Sequence, residues 1–175
     1  EIVTIAEHAG PVGSSAGPKT IADYSFNDAP ELDLILLPGG IGTIPELGNE
    51  AMLAFLKSRG PKSQITMSVC TGSALLAKAG LLDGLAATTN KMFFELARSQ
   101  SDQVDWQEAA RWVDAGRYVT SSGVSAGTDM ALAVIQRLFG NEAAQNVVNY
   151  TEYQWHTEAS TDPFESLLNK GQLPA

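Results

Sequence analysis

Short apolar runs bounded by turn residues alternate along this chain with stretches in which apolar residues recur at helical spacing. The clearest run is Leu34–Leu37, followed at once by Pro38-Gly39-Gly40; its unbroken hydrophobicity predicts a strand covered on both faces. Ile65–Val69 is a second run and leads straight into Cys70-Thr71-Gly72. Shorter strands are predicted over residues 20–24 and 86–89, and a pair over 112–120 joined at Ala115-Gly116. Residues 1–7 are rich in β-branched positions with no turn signal ahead of them, so they read as a strand already under way. Helical spacing is found over 49–59, where Met52, Leu53, Phe55 and Leu56 share a side and Gly60-Pro61 stops the pattern. It recurs over 73–79, which Gly80 closes, over 91–99, and over 125–139, where Met130, Leu132, Val134, Ile135 and Leu138 form the apolar side. Gly140 separates that helix from a last one over 141–150. Residues 8–18 predict a loop or hairpin, and the polar tail after Thr157 predicts surface. Alternating strands and helices with short connections predict one α/β domain over residues 1–175, a mainly parallel sheet with helices on both faces.

Composition narrows the possible functions. The 175 residues are 44% apolar, enough for a sizeable core. No run of about 18 apolar residues exists, so no membrane span is predicted, and no secretory signal pattern opens the chain. A formal charge of −9 argues against direct contact with nucleic acid. The single cysteine excludes an internal disulfide and a cysteine zinc cluster, and a lone thiol suits the reducing cytoplasm. The two histidines, His8 and His156, lack ligand spacing, so neither a metal nor another cofactor is expected.

That cysteine stands where chemistry gathers in open parallel sheets, beyond the carboxyl end of a strand. Ser68-Val69-Cys70-Thr71-Gly72 has the form small-x-nucleophile-x-small. A sharp strand-to-helix elbow needs small flanking residues and exposes the nucleophile at the top of the sheet. At the start of a helix, unpaired N–H groups and the helix dipole favour the reactive thiolate. The Gly39-Gly40 turn, together with the N–H of Thr71 or Gly72, offers backbone donors for an oxyanion hole.

The motifs Pro38-Gly39-Gly40-Ile41-Gly42, Ser68-Val69-Cys70-Thr71-Gly72-Ser73, Ala79-Gly80-Leu81-Leu82-Asp83-Gly84 and Ala87-Thr88-Thr89 follow one another in an order that resembles the ThiJ/PfpI superfamily. Gly123-Val124-Ser125-Ala126-Gly127-Thr128-Asp129 and Glu152-Tyr153 extend the resemblance over nearly the whole chain. It points to the branch that contains isonitrile hydratase and the ligand-binding domains of AraC-type regulators. The resemblance implies a flavodoxin-like, class I glutamine amidotransferase-like sandwich, usually a homodimer. It also implies Cys70 as nucleophile, Thr71 as a pocket residue through its hydroxyl and N–H, and Gly39 and Gly40 as the oxyanion-hole turn. The branch carries a supporting Asp or Glu on a first strand–helix unit. This chain opens at what resembles the second strand, so no residue here takes that role. Relatives often place His where this chain has Asn90, and Asn cannot take a proton at neutral pH.

Three activities compete on these residues. The resemblance favours a cysteine-dependent enzyme acting on a small carbon electrophile, either an isonitrile, giving an N-substituted formamide, or an α-oxoaldehyde in glyoxalase-like chemistry. The second reading is a non-catalytic small-molecule or redox sensor on the same scaffold, with Cys70 oxidisable. A protease or amidase ranks last, because it wants His where Thr71 and Asn90 stand. Asn90, Gly72 and His8 are expected to line the substrate pocket. His156 and the tryptophans Trp106, Trp112 and Trp155 are read as packed or interfacial, Asp129 as support for its own helix, and the acidic residues between Asp102 and Glu108 as solvated surface.

Overall fold

The computed structural model describes residues 1–14 and 17–171. Its elements run β1 (Ile5–Ala6), β2 (Gly10–Gly13), β3 (Lys19–Ala22), β4 (Tyr24–Ser25), β5 (Leu34–Leu37), α1 (Thr43–Glu46), α2 (Glu50–Arg59), β6 (Ile65–Val69) and α3 (Gly72–Lys78). They continue through β7 (Ala86–Ala87), α4 (Phe94–Arg98), β8 (Asp105–Trp106), β9 (Trp112–Ala115), β10 (Tyr118–Ser121), α5 (Val124–Phe139) and α6 (Asn141–Thr151). The main sheet has the order β5-β6-β10-β9. β5, β6 and β10 are mutually parallel, and β9 turns back on β10 through Gly116. Smaller pairs flank it: β1 with β4 and β7 with β8, both parallel, and the antiparallel β2–β3 hairpin. The tip of that predicted hairpin, Ser15 and Ala16, and residues 172–175 of the predicted surface tail lie outside the described residues.

The core forms two layers. On one face of the sheet Leu37 packs with Phe55 and Leu56 of α2 and with Leu75 and Leu76 of α3. On the other, Ile65 and Met67 of β6 meet Val119, Trp112 and the α5 residues Met130 and Val134. This is the period-2 alternation of a sheet sandwiched between helices. α2 starts where Asn49 Oδ1 accepts the Ala51 and Met52 N–H groups, at 2.9 and 3.2 Å. α5 stops at Gly140, whose φ of +89° ends the helical run.

Two expectations are corrected by the structure. Leu34–Leu37 is covered on one face only. Register pairs Leu34 with Ile65 and Leu36 with Met67, so both leucines lie on the α5 face of the sheet, yet they are 39% and 57% exposed. α5 covers β6, β9 and β10 and stops short of β5, and the outer edge of β5 has no strand beside it among the described residues. The predicted helix over 91–99 begins only at Phe94, because Asn90 Oδ1 accepts the Met92 and Phe93 N–H groups in a turn and Lys91 is drawn inward. The acidic residues between Asp102 and Glu108 are exposed or half-exposed, as expected, and Trp106 among them is packed, edge-on against Phe94, while the segment also forms β8. The tail after Thr157 lies on the surface as expected, Asp162 excepted, and is strapped to the body of the domain: the backbone N–H groups of Arg111 and Trp112 donate to Ala159 O, Asp162 N–H to Ala109 O, Asn169 N–H to Lys91 O and Gly171 N–H to Met92 O.

Candidate functional site

Cys70 follows β6 directly and precedes α3, half-buried, with φ at +59°. A non-glycine residue in the left-handed region costs about 1–3 kcal/mol and persists only where its surroundings over-determine it. The surroundings here do so. Cys70 N–H donates to Ser121 O at the end of β10, at 3.2 Å. Cys70 O accepts the Thr89 hydroxyl at 3.0 Å and the Ser73 hydroxyl at 3.2 Å. Thr88 N–H in turn donates to Thr120 Oγ1 at 2.9 Å, joining the segment after β7 to β10. The elbow is therefore held from three directions, by β10, by the segment after β7 and by its own helix.

Two glycines make room for it. A Cβ on Gly39 would stand 2.6 Å from Thr71 N and 2.8 Å from Cys70 Cβ. One on Gly72 would stand 2.6 Å from Leu37 O. Both distances are impossible for a real side chain, so the Pro38-Gly39-Gly40 turn and the start of α3 interlock only as glycines. This places Gly39, Gly72 and Cys70 in one cluster. Thr71 belongs to it too, in a different way from expectation. Its buried hydroxyl accepts the Gly40 N–H at 2.9 Å, donates to Gly40 O at 3.2 Å and lies 3.0 Å from Thr43 Oγ1. That hydroxyl clasps the glycine turn to the elbow, and the Gly40 N–H is committed to it, so Gly40 is not a free donor towards Cys70. The N–H groups of Thr71 and Gly72 have no acceptor among the described residues.

The remaining predicted pocket residues separate. Asn90 follows Thr89 and, with Gly123, Phe164 and Leu167, borders a cavity of about 140 Å³. Cys70 itself does not line this cavity. His8 stands in the loop after β1, fully exposed, 3.8 Å from Glu7, and no hydrogen bond joins it to the elbow among the described residues. His156 is also exposed and serves through its backbone N–H, which donates to Asp129 Oδ1 at 3.0 Å. Among the described residues no side chain hydrogen-bonds the Cys70 thiol, and no cluster of three His, Cys, Asp or Glu side chains gathers to hold a metal.

Sequence reasoning missed a buried ionic group next to this cavity. Arg111 donates through Nε and Nη2 to Asp129 Oδ2, at 2.7 and 2.6 Å. Asp162 accepts the Ser122 hydroxyl and lies 3.6 Å from Arg111 Nη1 and 4.0 Å from Lys91 Nζ. Lys91 donates to Ala110 O at 2.6 Å and to Thr88 Oγ1 at 3.0 Å. Burial pushes the Lys91 ammonium down to about 8, against the opposing pull of the Asp162, Glu165 and Glu108 carboxylates. Asp129 thus supports more than its own helix: it also receives His156 N–H and, through its carbonyl, the Trp155 indole N–H at 3.1 Å. The available signal was Arg111 itself, a lone charge between Ala109-Ala110 and Trp112-Val113.

An α/β sandwich with its cysteine on an elbow of this geometry defines a class of protein, and comparison with known families gives the particular one. The DJ-1/PfpI family model matches residues 1–137, and the chain belongs to that family. It is 37% identical over 161 residues to isonitrile hydratase of Pseudomonas putida, covering 89% of this chain and 65% of that protein. It is 28% identical over 164 residues to the HTH-type transcriptional regulator GbdR of Pseudomonas aeruginosa, covering 92% of this chain and 44% of the regulator. Among solved structures, a ThiJ/PfpI family protein from Pseudomonas syringae superimposes with a TM-score of 0.78 at 30% identity, covering 89% of this chain and 64% of that one. The flavodoxin-like α/β fold is shared with the Pseudomonas syringae protein. Among the described residues no helix is long and apolar enough to cross a membrane.

Proposed function

We propose that the protein is a cysteine-dependent enzyme acting on a small carbon electrophile, in the manner of isonitrile hydratase. The observation that carries this reading is the strained, three-sided setting of Cys70, with the unspent N–H groups of Thr71 and Gly72 beside it. The similarity to isonitrile hydratase supports the choice of electrophile.

In this scheme Cys70 Sγ adds to the terminal carbon of R–N≡C. A new S–C bond forms, a proton reaches the carbon, and the thioimidate R–N=CH–S–Cys70 results. Water adds to that carbon, the S–C bond breaks, the thiol recovers its proton, and R–NH–CHO leaves. Overall one water is consumed and nothing is oxidised or reduced. The N–H groups of Thr71 and Gly72 stabilise the oxyanion that forms when water adds. Gly39 permits the close approach, and the Thr71 hydroxyl fixes the turn through Gly40. Among the described residues no acid reaches the Cys70 thiol to deliver the first proton, and the open edge of β5 with its exposed Leu34 and Leu36 leaves a face on which a neighbouring element can bring one.

A second reading is favoured by one observation: no carboxylate reaches the Cys70 thiol among the described residues. A sensor domain of the kind suggested by the similarity to GbdR would need none. Incubation of the protein and its Cys70→Ser variant with an isonitrile and with methylglyoxal, followed by NMR, separates the readings. Formamide that requires Cys70 supports the hydratase, and hydroxy acid moves the assignment to glyoxalase-like chemistry. Silence with both counts against the enzyme and favours the sensor.

A further inference from the structure

The cavity of about 140 Å³ beside Asn90 is bounded on one side by the two segments that hold the elbow and on the other by the strap. Thr89 grips Cys70 O, and the next residue, Asn90, lines the cavity. Ser121 O accepts Cys70 N–H, and the next two residues, Ser122 and Gly123, line it as well. The backbone groups that position the thiol are thus one residue removed from the wall of an open space.

The chemistry of that space is unusual for a site bordered by Lys91, Arg111 and Asp162, because every charge is already answered. Arg111 is committed to Asp129, Lys91 to Ala110 O and Thr88 Oγ1, and Asp162 to the Ser122 hydroxyl. Two cations meet two carboxylates. An anionic guest would face Asp162 and a cationic one Arg111 and Lys91, and neither finds an unpaired partner to offset its desolvation. What remains on offer is apolar. Met92 is 39% exposed, Phe164 51% and Leu167 36%, and all three border the cavity. Two polar donors are unspent among the described residues: Asn90 Nδ2, since the hydrogen bonds of Asn90 use Oδ1, and the Ser125 hydroxyl, which only accepts, from Arg111 Nη2 at 3.4 Å.

We infer that this cavity receives the side group of the electrophile whose carbon is attacked by Cys70, that it selects a compact, uncharged, mainly hydrocarbon group, and that Phe164 and Leu167 of the strap determine its size. The inference rests on the hydratase reading for the identity of the electrophile, but the class of guest follows from the cavity alone. Asn90 Nδ2 donates to the polar atom next to that group. The strap is a wall of the site, clamped in place by Asp162 between Lys91 and Arg111.

The test has two arms. In the first, kcat/KM is measured for methyl, isopropyl and phenyl isonitrile with the wild-type protein and with Phe164→Trp and Leu167→Ala. Both side chains are partly exposed, so both variants fold. Phe164→Trp lowers the phenyl-to-methyl ratio of kcat/KM by about tenfold, and Leu167→Ala raises it, the scale that a few carbon atoms command in an apolar pocket. In the second arm, isobutyronitrile and isobutyrate, nearly isosteric but neutral and charged, are titrated into the Cys70→Ser variant with methyl-labelled Met92 and Leu167. The nitrile produces saturable shifts of both methyl groups and the carboxylate produces none. Turnover with an unchanged size ratio in both variants overturns the cavity assignment while leaving the hydratase intact. Absence of turnover with nitrile shifts at Met92 and Leu167 refutes the hydratase and upholds the cavity's guest class. Absence of nitrile shifts, or equal shifts with the carboxylate, overturns the guest class.

Discussion

Lys91 gives the sharpest test of the buried ionic group, because its titration has a definite sign. The side chain is 3% exposed, and burial lowers its pKa from 10.5 to about 8. In the unfolded chain the ammonium keeps its ordinary value, so between about pH 8 and 10.5 the unfolded state binds a proton that the folded state does not. Stability therefore rises with pH over that window. Below pH 8 both states are protonated, and the folded protein bears the full cost of a buried ammonium that Asp162 compensates only in part. Each pH unit inside the window is worth about 1.4 kcal/mol, so the group contributes about 2–3 kcal/mol more stability at pH 10 than at pH 7. Tyr118 and Tyr153 act in the opposite sense, but only from pH 10 upward, because burial raises both phenols.

The perturbation is Lys91→Met, which keeps the length and apolar character of the stem and removes the titrating group. Its loss of two hydrogen bonds, to Ala110 O and Thr88 Oγ1, shifts stability by an amount independent of pH. Urea unfolding of both proteins at pH 7, 8, 9 and 10 then yields a difference in which other titrations cancel. That difference moves in favour of the wild type by about 2–3 kcal/mol from pH 7 to pH 10. A difference that stays flat across the series, or moves the other way, refutes the claim that burial dominates over the surrounding carboxylates.

Other perturbations probe the elbow and the sheet. Gly39→Ala forces a methyl group against the backbone of Thr71 and the Cβ of Cys70; it abolishes Cys70-dependent turnover and costs about 2 kcal/mol or more in denaturant melts. Ser68→Ala removes a fully buried hydroxyl that has no partner among the described residues, and calorimetry is expected to find the variant about 1 kcal/mol more stable. Arg111→Ala leaves Asp129 and Asp162 buried without their main cation and costs about 3–5 kcal/mol, whereas Arg111→Met combined with Asp129→Leu recovers most of that loss in the same urea assay. The open edge and bare face of β5 are expected to make the protein self-associate in light scattering, and Leu36→Glu to suppress that association.

How far the sequence could be read depended on the range of the interactions involved. The elbow was legible because its requirements are local: a strand-forming run, small residues on either side of the nucleophile and a helix start within a few positions. Cys70, Gly72 and the Gly39 turn all fall together in the structure for that reason. The helices over 49–59, 125–139 and 141–150 were legible because the spacing that marks each lies within its own segment, and Gly60 and Gly140 bound the first two. The exposure of Leu34 and Leu36 was not legible, since an apolar run looks the same whether one or both of its faces are covered. Nor was the use of the Thr71 hydroxyl, which depends on Gly40 approaching from a different strand end.

The tail shows the same limit more forcefully. Residues 155–171 are mostly polar, and polarity alone predicts a solvated surface. Yet Asp162 is 3% exposed, because Lys91 and Arg111, which are far from it in sequence, reach it in space. A buried charge can be recognised from sequence only when its partner is recognised too, and here the partners stand on three separate segments. The consequence for function is direct. On the proposed reading, the nucleophile can be found by reading along the chain, whereas the residues that choose its substrate are assembled across it. Asn90 and Gly123 bring the elbow's own supports to the cavity, and Phe164 and Leu167 arrive there on a strap held by Asp162 and by backbone hydrogen bonds to Ala109, Lys91 and Met92. On that reading, a likeness carried by the elbow therefore bears on the chemistry of attack more than on what is attacked.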